Sequence, residues 1–337
     1  MLDSNVSIVV PCLNEEKTIG RCIESFIDNG DSFGRSELLI VDGMSTDRTR
    51  EIVDSYAQDH EQIRLIDNPG KRTSLALNIG IGNAEGRYIG FMGAHSYVDS
   101  GYLKSALTCL EDNPDIACAG GMKESTGSTP FQRIVSGVLK TGTASGSRRF
   151  SGSFKGYVKT VPYGIYRKEV FETYGRFRED LICAEDFEFN MRLVRNGEKI
   201  YQDSSIKSFY YPRATLHSLM KQYLKYGFYK SKAWIFYNTV TAANILPAAA
   251  LSAGIIAAVL SFFSRLSAVI LCAGAGLYVM AAVLSMCVRI RSLSDILLVP
   301  VRCGVLGAIH LSFASGYLYG MMYWILIKIV KRNTHGC

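Results

Sequence analysis

Two adjacent acids, Glu185 and Asp186, open the run EDFEFNMRL, where a carboxylate pair can do proton chemistry. A carboxylate held within reach of a hydroxyl acts as a general base. Acids at a helix start also stabilise the helix dipole, so catalysis and capping both fit this pair taken alone. Far upstream, the apolar run SIVV meets the polar turn PCLNEE, and a second apolar run, LLIV, ends in Asp42. In an open α/β sheet, ligands bind beyond the carboxyl ends of the strands. Asn14, Glu15, Asp42 and the turn 93–96 all fall at such ends. An acid there can accept hydrogen bonds from a nucleobase imide or a ribose, or brace its own turn. No GxGxxG follows the first strand, so this is not a dinucleotide fingerprint.

The elements that must position these groups alternate. Short apolar runs predict strands at 6–11, 37–42, 62–67, 87–93 and 115–122, with helical patterns at 16–29, 46–59, 73–83 and 100–113 between them. Ser45 or Thr46 suits the N-cap of the second helix. Continuous apolar strands between helices predict a parallel, doubly wound α/β sheet covered on both faces. Residues 123–160 break the rhythm. Their stretch 141–159, rich in Gly, Ser and basic residues, fits either a surface loop or a lid over the site. A helix over 184–195 and a strand-like KIYQDSSIKSFYYP follow.

Beyond residue 213 the chain changes character. Residues 215–238 form an amphipathic pattern, with Leu216, Leu219, Met220, Tyr223 and Leu224 on one helical face. That helix is expected in a membrane interface. The charge-free runs 233–264, 266–288 and 303–327 each exceed the roughly 20 residues that cross a hydrocarbon core. The first two predict a hairpin turning at Arg265. The third, containing Pro300, Arg302 and His310, reads as one tilted helix or a broken pair. About three spans are expected, hence a catalytic domain over 1–212, an interfacial segment over 213–238 and a transmembrane region over 239–330.

Charge follows the same division. Residues 1–203 hold 24 Lys and Arg against 29 acids, whereas the remainder holds 13 against the single acid Asp295. The overall +7 is therefore concentrated beside apolar spans. That pattern suits an anionic lipid surface and gives no reason to expect nucleic acid. Nine cysteines without CxxC spacing, and no signal peptide in the N-terminal run, predict reduced thiols and a multi-pass protein of the cytoplasmic membrane with a cytosolic catalytic domain.

The ordered motifs PxxNE, VDGxSxD, NxGxGxxxGRYI and EDxxxxxRL resemble inverting family-2 glycosyltransferases of the GT-A fold. More narrowly, VPYGIYRKEVFE, FYYPRATLHSLMKQYLKYG and HLSFASGYLYG are similar to bacterial membrane transferases of exopolysaccharide assembly. The resemblance implies a UDP-sugar donor, a polyprenyl-diphosphate-linked saccharide as acceptor, and membrane lipid around the C-terminal helices. Pro11, Asn14, Glu15 and Asp42 would line the nucleoside pocket, with Lys71 and Arg72 near the uracil or diphosphate. Asp186 would be the general base and Glu185 its positioning partner. Gln222 and Lys225, which match a QxxRW helix with Lys in place of Arg, would contact the acceptor's diphosphate together with Arg148 and Arg149. Where the family carries DxD, this chain reads Gly93-Ala94-His95, which lacks the first acid. His95 then stands at the metal-contacting position, and an imidazole suits Mn²⁺ better than Mg²⁺. Transfer to polyprenyl phosphate itself is the rival enzyme reading. Because such an acceptor is already anionic, it needs no base, and Asp186 speaks against it. A nucleotide-binding protein disabled at Gly93 is the non-enzymatic alternative.

Overall fold

The computed structural model describes residues 6–143, 154–288, 290 and 292–334, with side chains described up to residue 330. Two compact units divide the chain: residues 1–124 with 149–211, and residues 125–148 with 212–337.

The first unit is built on a sheet of nine strands: β1 (Val6–Cys12), β2 (Ser36–Asp42), β3 (Ile63–Asp67), β4 (Tyr88–Phe91), β5 (Ser96–Val98), β6 (Ile116–Ser125), β7 (Lys155–Val158), β8 (Ile165–Arg167) and β9 (Lys199–Tyr210). Their order is β3-β2-β1-β4-β8-β6-β9-β5, with β7 paired to β9. Strands β1 to β4 run parallel to one another, as the sequence predicts. Strand β8, which the sequence reading did not place, runs antiparallel to β4 and to β6, so the expected strands share one direction within a mixed sheet. Burial does not encode direction, because a strand covered on both faces looks equally apolar either way.

Helices α1 (Ile19–Ile27), α2 (Asp31–Gly34), α3 (Thr49–Asp59), α4 (Thr73–Asn83), α5 (Tyr102–Asp112), α7 (Glu169–Thr173) and α8 (Glu185–Arg195) complete the unit; α6 (Pro130–Leu139) belongs to the other. Successive residues of β1 and β2 serve opposite faces, as the two-residue period requires. Ile8, Val10, Leu38 and Ile40 join one core with Ile23 and Phe26 of α1 and Leu103 of α5. Val9, Leu39 and Val41 join another with Leu77 of α4 and Phe189 of α8. The expected start of α3 moves. Its cap is Arg48, and the Asp47 carboxylate accepts the Thr49 amide at 3.0 Å, while Ser45 and Thr46 turn to other partners.

The second unit holds α6, α9 (Leu216–Tyr237), α10 (Ala242–Leu260), α11 (Arg265–Cys287) and α12 (Leu293–Thr334). No local pattern announces α6. It lies in the stretch read as rhythmless, and Thr129 and Gln132 close a capping box at its start. Its Val135 and Val138 pack with Leu219, Ala282, Met286 and Leu306. Three helices, α10, α11 and α12, are long and apolar enough to cross a membrane. The hairpin turn precedes Arg265, which is already helical, with Ser264 capping Ser267 at 3.4 Å. The third apolar region is one continuous helix with Pro300 inside it, not a broken pair. Of the apolar stripe expected on α9, Leu219 is buried while Leu216, Met220 and Leu224 stay exposed. Gly227 of α9 and Gly316 of α12 instead make a close backbone crossing.

Candidate active site

The turn after β1 is laced to the turn after β2. Asn14 adopts φ 55°, its amide donates to Ser45 Oγ at 2.8 Å, and its Oδ1 accepts the Thr46 amide at 2.8 Å. The Glu15 amide donates to Thr49 Oγ1 at 2.8 Å, and Glu16 N donates to Asp47 at 3.2 Å. Asn14 thus braces the rim of the site. Pro11 lies in β1 opposite Val41 of β2. Of the five other non-glycine residues with positive φ among the described residues, Met44, Lys71 and Ala184 lie near or are predicted site residues, Tyr163 places its hydroxyl near Gly93, and Asn238 caps α9. Such strained backbone concentrates where a fold holds functional groups.

Asp42 ends β2 with its side chain fully buried. Its two oxygens accept from Ser45 N at 2.9 Å, Arg50 Nη1 at 2.9 Å, Cys12 Sγ at 3.5 Å and the Ser45 hydroxyl. Burial alone would raise its pKa. The Ser45 hydroxyl and amide, then Arg50 and Cys12, outweigh burial and hold the carboxyl below its ordinary value. A depressed carboxylate contributes stability that is present above its unfolded pKa, about 3.9, and is lost as pH falls through the folded value. Asp42→Ala should therefore cost about 1.5–3 kcal/mol at pH 7, the worth of hydrogen bonds to a charged group. The deficit, read from unfolding in detergent, should shrink below about pH 4. A deficit that ignores pH would sink the assignment.

Beyond β4, Gly93 and the buried Ala94 lead to His95, whose Nδ1 is 3.7 Å from Glu15 Oε1. A Cβ on Gly93 would lie 3.4 Å from the His95 ring and 3.5 Å from the Tyr163 hydroxyl, ordinary contacts, and Gly93 has no positive φ. An acid is thus sterically admissible there. The GT-A fold implies a divalent cation at this position. Glu15 and His95 are the two donors available, and among the described residues no three metal-ligating side chains cluster. The pair fits a cation that takes its remaining ligands from a bound diphosphate and water.

Tyr163, at φ 49°, is fixed by Ser96 Oγ at 2.6 Å from its hydroxyl and by Tyr102 OH donating to its carbonyl at 2.9 Å. Its ring and that of Tyr210 flank the Lys123 ammonium, and Tyr210 also stands 5.3 Å from the His95 ring. Burial lowers the Lys123 pKa, with the charge of Asp186 opposing that shift. Asp186 itself is exposed in the first turn of α8, one oxygen accepting the Phe187 amide at 2.7 Å. Glu185 is half-buried beside it. The structure therefore gathers Glu15, Gly93, His95 and Asp186 around Tyr163, Tyr210 and Lys123, three residues the sequence reading did not assign. The available signal was a lysine ending an apolar strand and the tyrosine of VPYGIY.

The remaining expected residues lie on other elements. Lys71 and Arg72 are exposed at the start of α4, and neither side chain forms an ion pair among the described residues. Gln222 donates to Tyr226 OH at 2.9 Å on α9, and Lys225 is exposed on the same helix of the second unit. Arg148 and Arg149 lie outside the described residues.

A mixed sheet, parallel at one end, with acids and a histidine at its strand ends and a carboxylate opening a helix, defines a GT-A-type sugar transferase. The chain belongs to glycosyl transferase family 2, whose pattern it matches over residues 7–175. It is 32% identical over 229 residues to the dolichyl N-acetyl-α-D-glucosaminyl phosphate 3-β-D-2,3-diacetamido-2,3-dideoxy-β-D-glucuronosyltransferase of Methanococcus voltae, covering 66% of this chain and 71% of that one. The succinoglycan biosynthesis protein ExoA of Rhizobium meliloti is 28% identical, with 68% and 69% covered. Among solved structures, the mannosyltransferase PcManGT of Pyrobaculum calidifontis, in complex with GDP-Man and Mn²⁺, shares the fold at TM-score 0.63 and 16% identity, over 92% of this chain and 86% of that one. The protein is a glycosyltransferase of glycan or polysaccharide biosynthesis.

Proposed function

We propose that the protein is an inverting hexosyltransferase that moves a sugar from a UDP-sugar to a hydroxyl of a polyprenyl-diphosphate-linked saccharide at the cytosolic face of the membrane. What carries this reading is the convergence of Asp186 with the Glu15–Gly93–His95 group across the Tyr163–Tyr210 pair. An exposed carboxylate can take the proton of an attacking hydroxyl. Strand-end groups on the other side would hold the nucleotide, and attack opposite the leaving UDP inverts the anomeric centre. The dolichyl-linked substrate named for the Methanococcus relative supports a lipid-linked acceptor. The apolar helices support membrane residence: Leu246 of α10 and Leu266 of α11, for example, are 70% and 68% exposed, a surface that lipid covers at little cost. Gln222, Lys225, Arg148 and Arg149 are the basic and polar groups proposed to meet the acceptor's diphosphate.

A divalent cation held by Glu15, His95 and the donor would neutralise charge on the diphosphate. Nucleotide-dependent Mn²⁺ binding is therefore expected, weakened in His95→Ala and tightened in Gly93→Asp, for which the backbone leaves room. Mn²⁺-titrated UDP binding checks this, and a parent-like His95→Ala would remove the metal from that position. The function itself is tested by incubating detergent-purified protein with a panel of UDP-sugars and short polyprenyl-diphosphate saccharides. Inverted, lipid-linked product is expected, whereas transfer to bare polyprenyl phosphate alone would favour the rival acceptor.

A further inference from the structure

Lys123 sits near the end of β6 with its side chain half-buried. Its Nζ lies 5.4 Å from the centroid of the Tyr163 ring and 4.8 Å from that of Tyr210. Among the described residues the ammonium donates no hydrogen bond and forms no ion pair within 4 Å; Asp186 acts on it only through space. Two aromatic faces attract a cation but occupy none of its three donors, which are left for water or a bound anion. The same rings border the strand-end group. The Tyr163 hydroxyl is 3.5 Å from the place a Cβ on Gly93 would take, and Tyr210 faces His95. A cation with its donors open to a ligand thus stands one ring away from the position where this chain lacks an acid to support a metal.

We propose that Lys123 is a substrate-contacting cation that binds the non-bridging oxygens of the donor's leaving diphosphate. The inference rests on the glycosyl-transfer reading above. In that step the acceptor oxygen bonds to the anomeric carbon and its proton passes to Asp186. The bond from the anomeric carbon to the phosphate oxygen breaks with its electron pair, leaving the nucleoside diphosphate with one more negative charge. Lys123 meets that charge as it develops, which makes it worth more in the transition state than in the bound donor.

The test compares Lys123→Met and Lys123→Arg with the parent as full-length protein in detergent, using UDP and uridine as calorimetric probes alongside kcat and KM. Lys123→Met should bind UDP about tenfold more weakly, bind uridine as the parent does, and lose about 10²-fold in kcat, with Lys123→Arg recovering most of both. Parent-like UDP affinity and kcat in Lys123→Met would overturn the proposal. So would a loss confined to acceptor KM, or an equal loss of UDP and uridine binding with a lowered melting temperature. Should the parent bind GDP instead of UDP, the donor reading fails, while GDP against guanosine still decides the role of Lys123.

Discussion

Asp186→Asn is expected to abolish sugar transfer while leaving UDP affinity nearly unchanged. The substitution keeps the shape and the acceptor oxygen that takes the Phe187 amide at 2.7 Å, so α8 loses little. What disappears is a base able to accept a proton. Positioned proton transfer contributes about 10² to 10⁴-fold, and losses in that range are expected in kcat. Because the base serves the acceptor, calorimetric UDP binding separates this outcome from a collapsed site. If Asp186 only stabilised the dipole of α8, the cost would be about 0.3–1 kcal/mol of stability and no comparable loss of rate. Activity within tenfold of the parent would reduce Asp186 to that role.

The second large effect is expected in the C-terminal helices. A Cβ on Gly316 would overlap the Leu224 carbonyl, and one on Gly227 would overlap the Phe313 carbonyl. Gly320 meets the Ser231 side chain and the Phe228 backbone in the same crossing. Small residues let helix backbones approach in lipid, where apolar burial alone does not drive association. Gly316→Val must push α9 and α12 apart, and overpacking of this kind costs about 1–3 kcal/mol or more. A melting temperature lower by about 1–4 °C follows for a chain of this size. Gly276→Val is the matched control, since nothing lies within 4 Å of a Cβ there on α11. Equal melting of the two variants would show that the crossing does not hold the bundle.

The corrected elements explain what each level of information carries. The strands β1 to β4 and the helices between them follow the hydrophobic period, which is a local property, and so does the length of the apolar spans. The placing of polar residues at strand ends was legible for the same reason. Asp42, Glu15 and His95 sit where polar residues interrupt apolar runs, and Glu185 and Asp186 open α8 as their position predicts. Helix α6 was not legible, because its apolar face is complete only beside residues about 80 to 170 positions later in the chain.

By itself the sequence determined the α/β character of the first two hundred residues, the candidate carboxylates, and the apolar segments, since each is written in spacing over fewer than about 30 residues. Only the tertiary structure decided that Lys123 rests between Tyr163 and Tyr210, that β8 runs antiparallel to β6, and that Gly227 meets Gly316's helix. Those pairings join residues 40 to about 90 positions apart. Their partners are chosen by packing and by the satisfaction of buried polar groups, which no local period records.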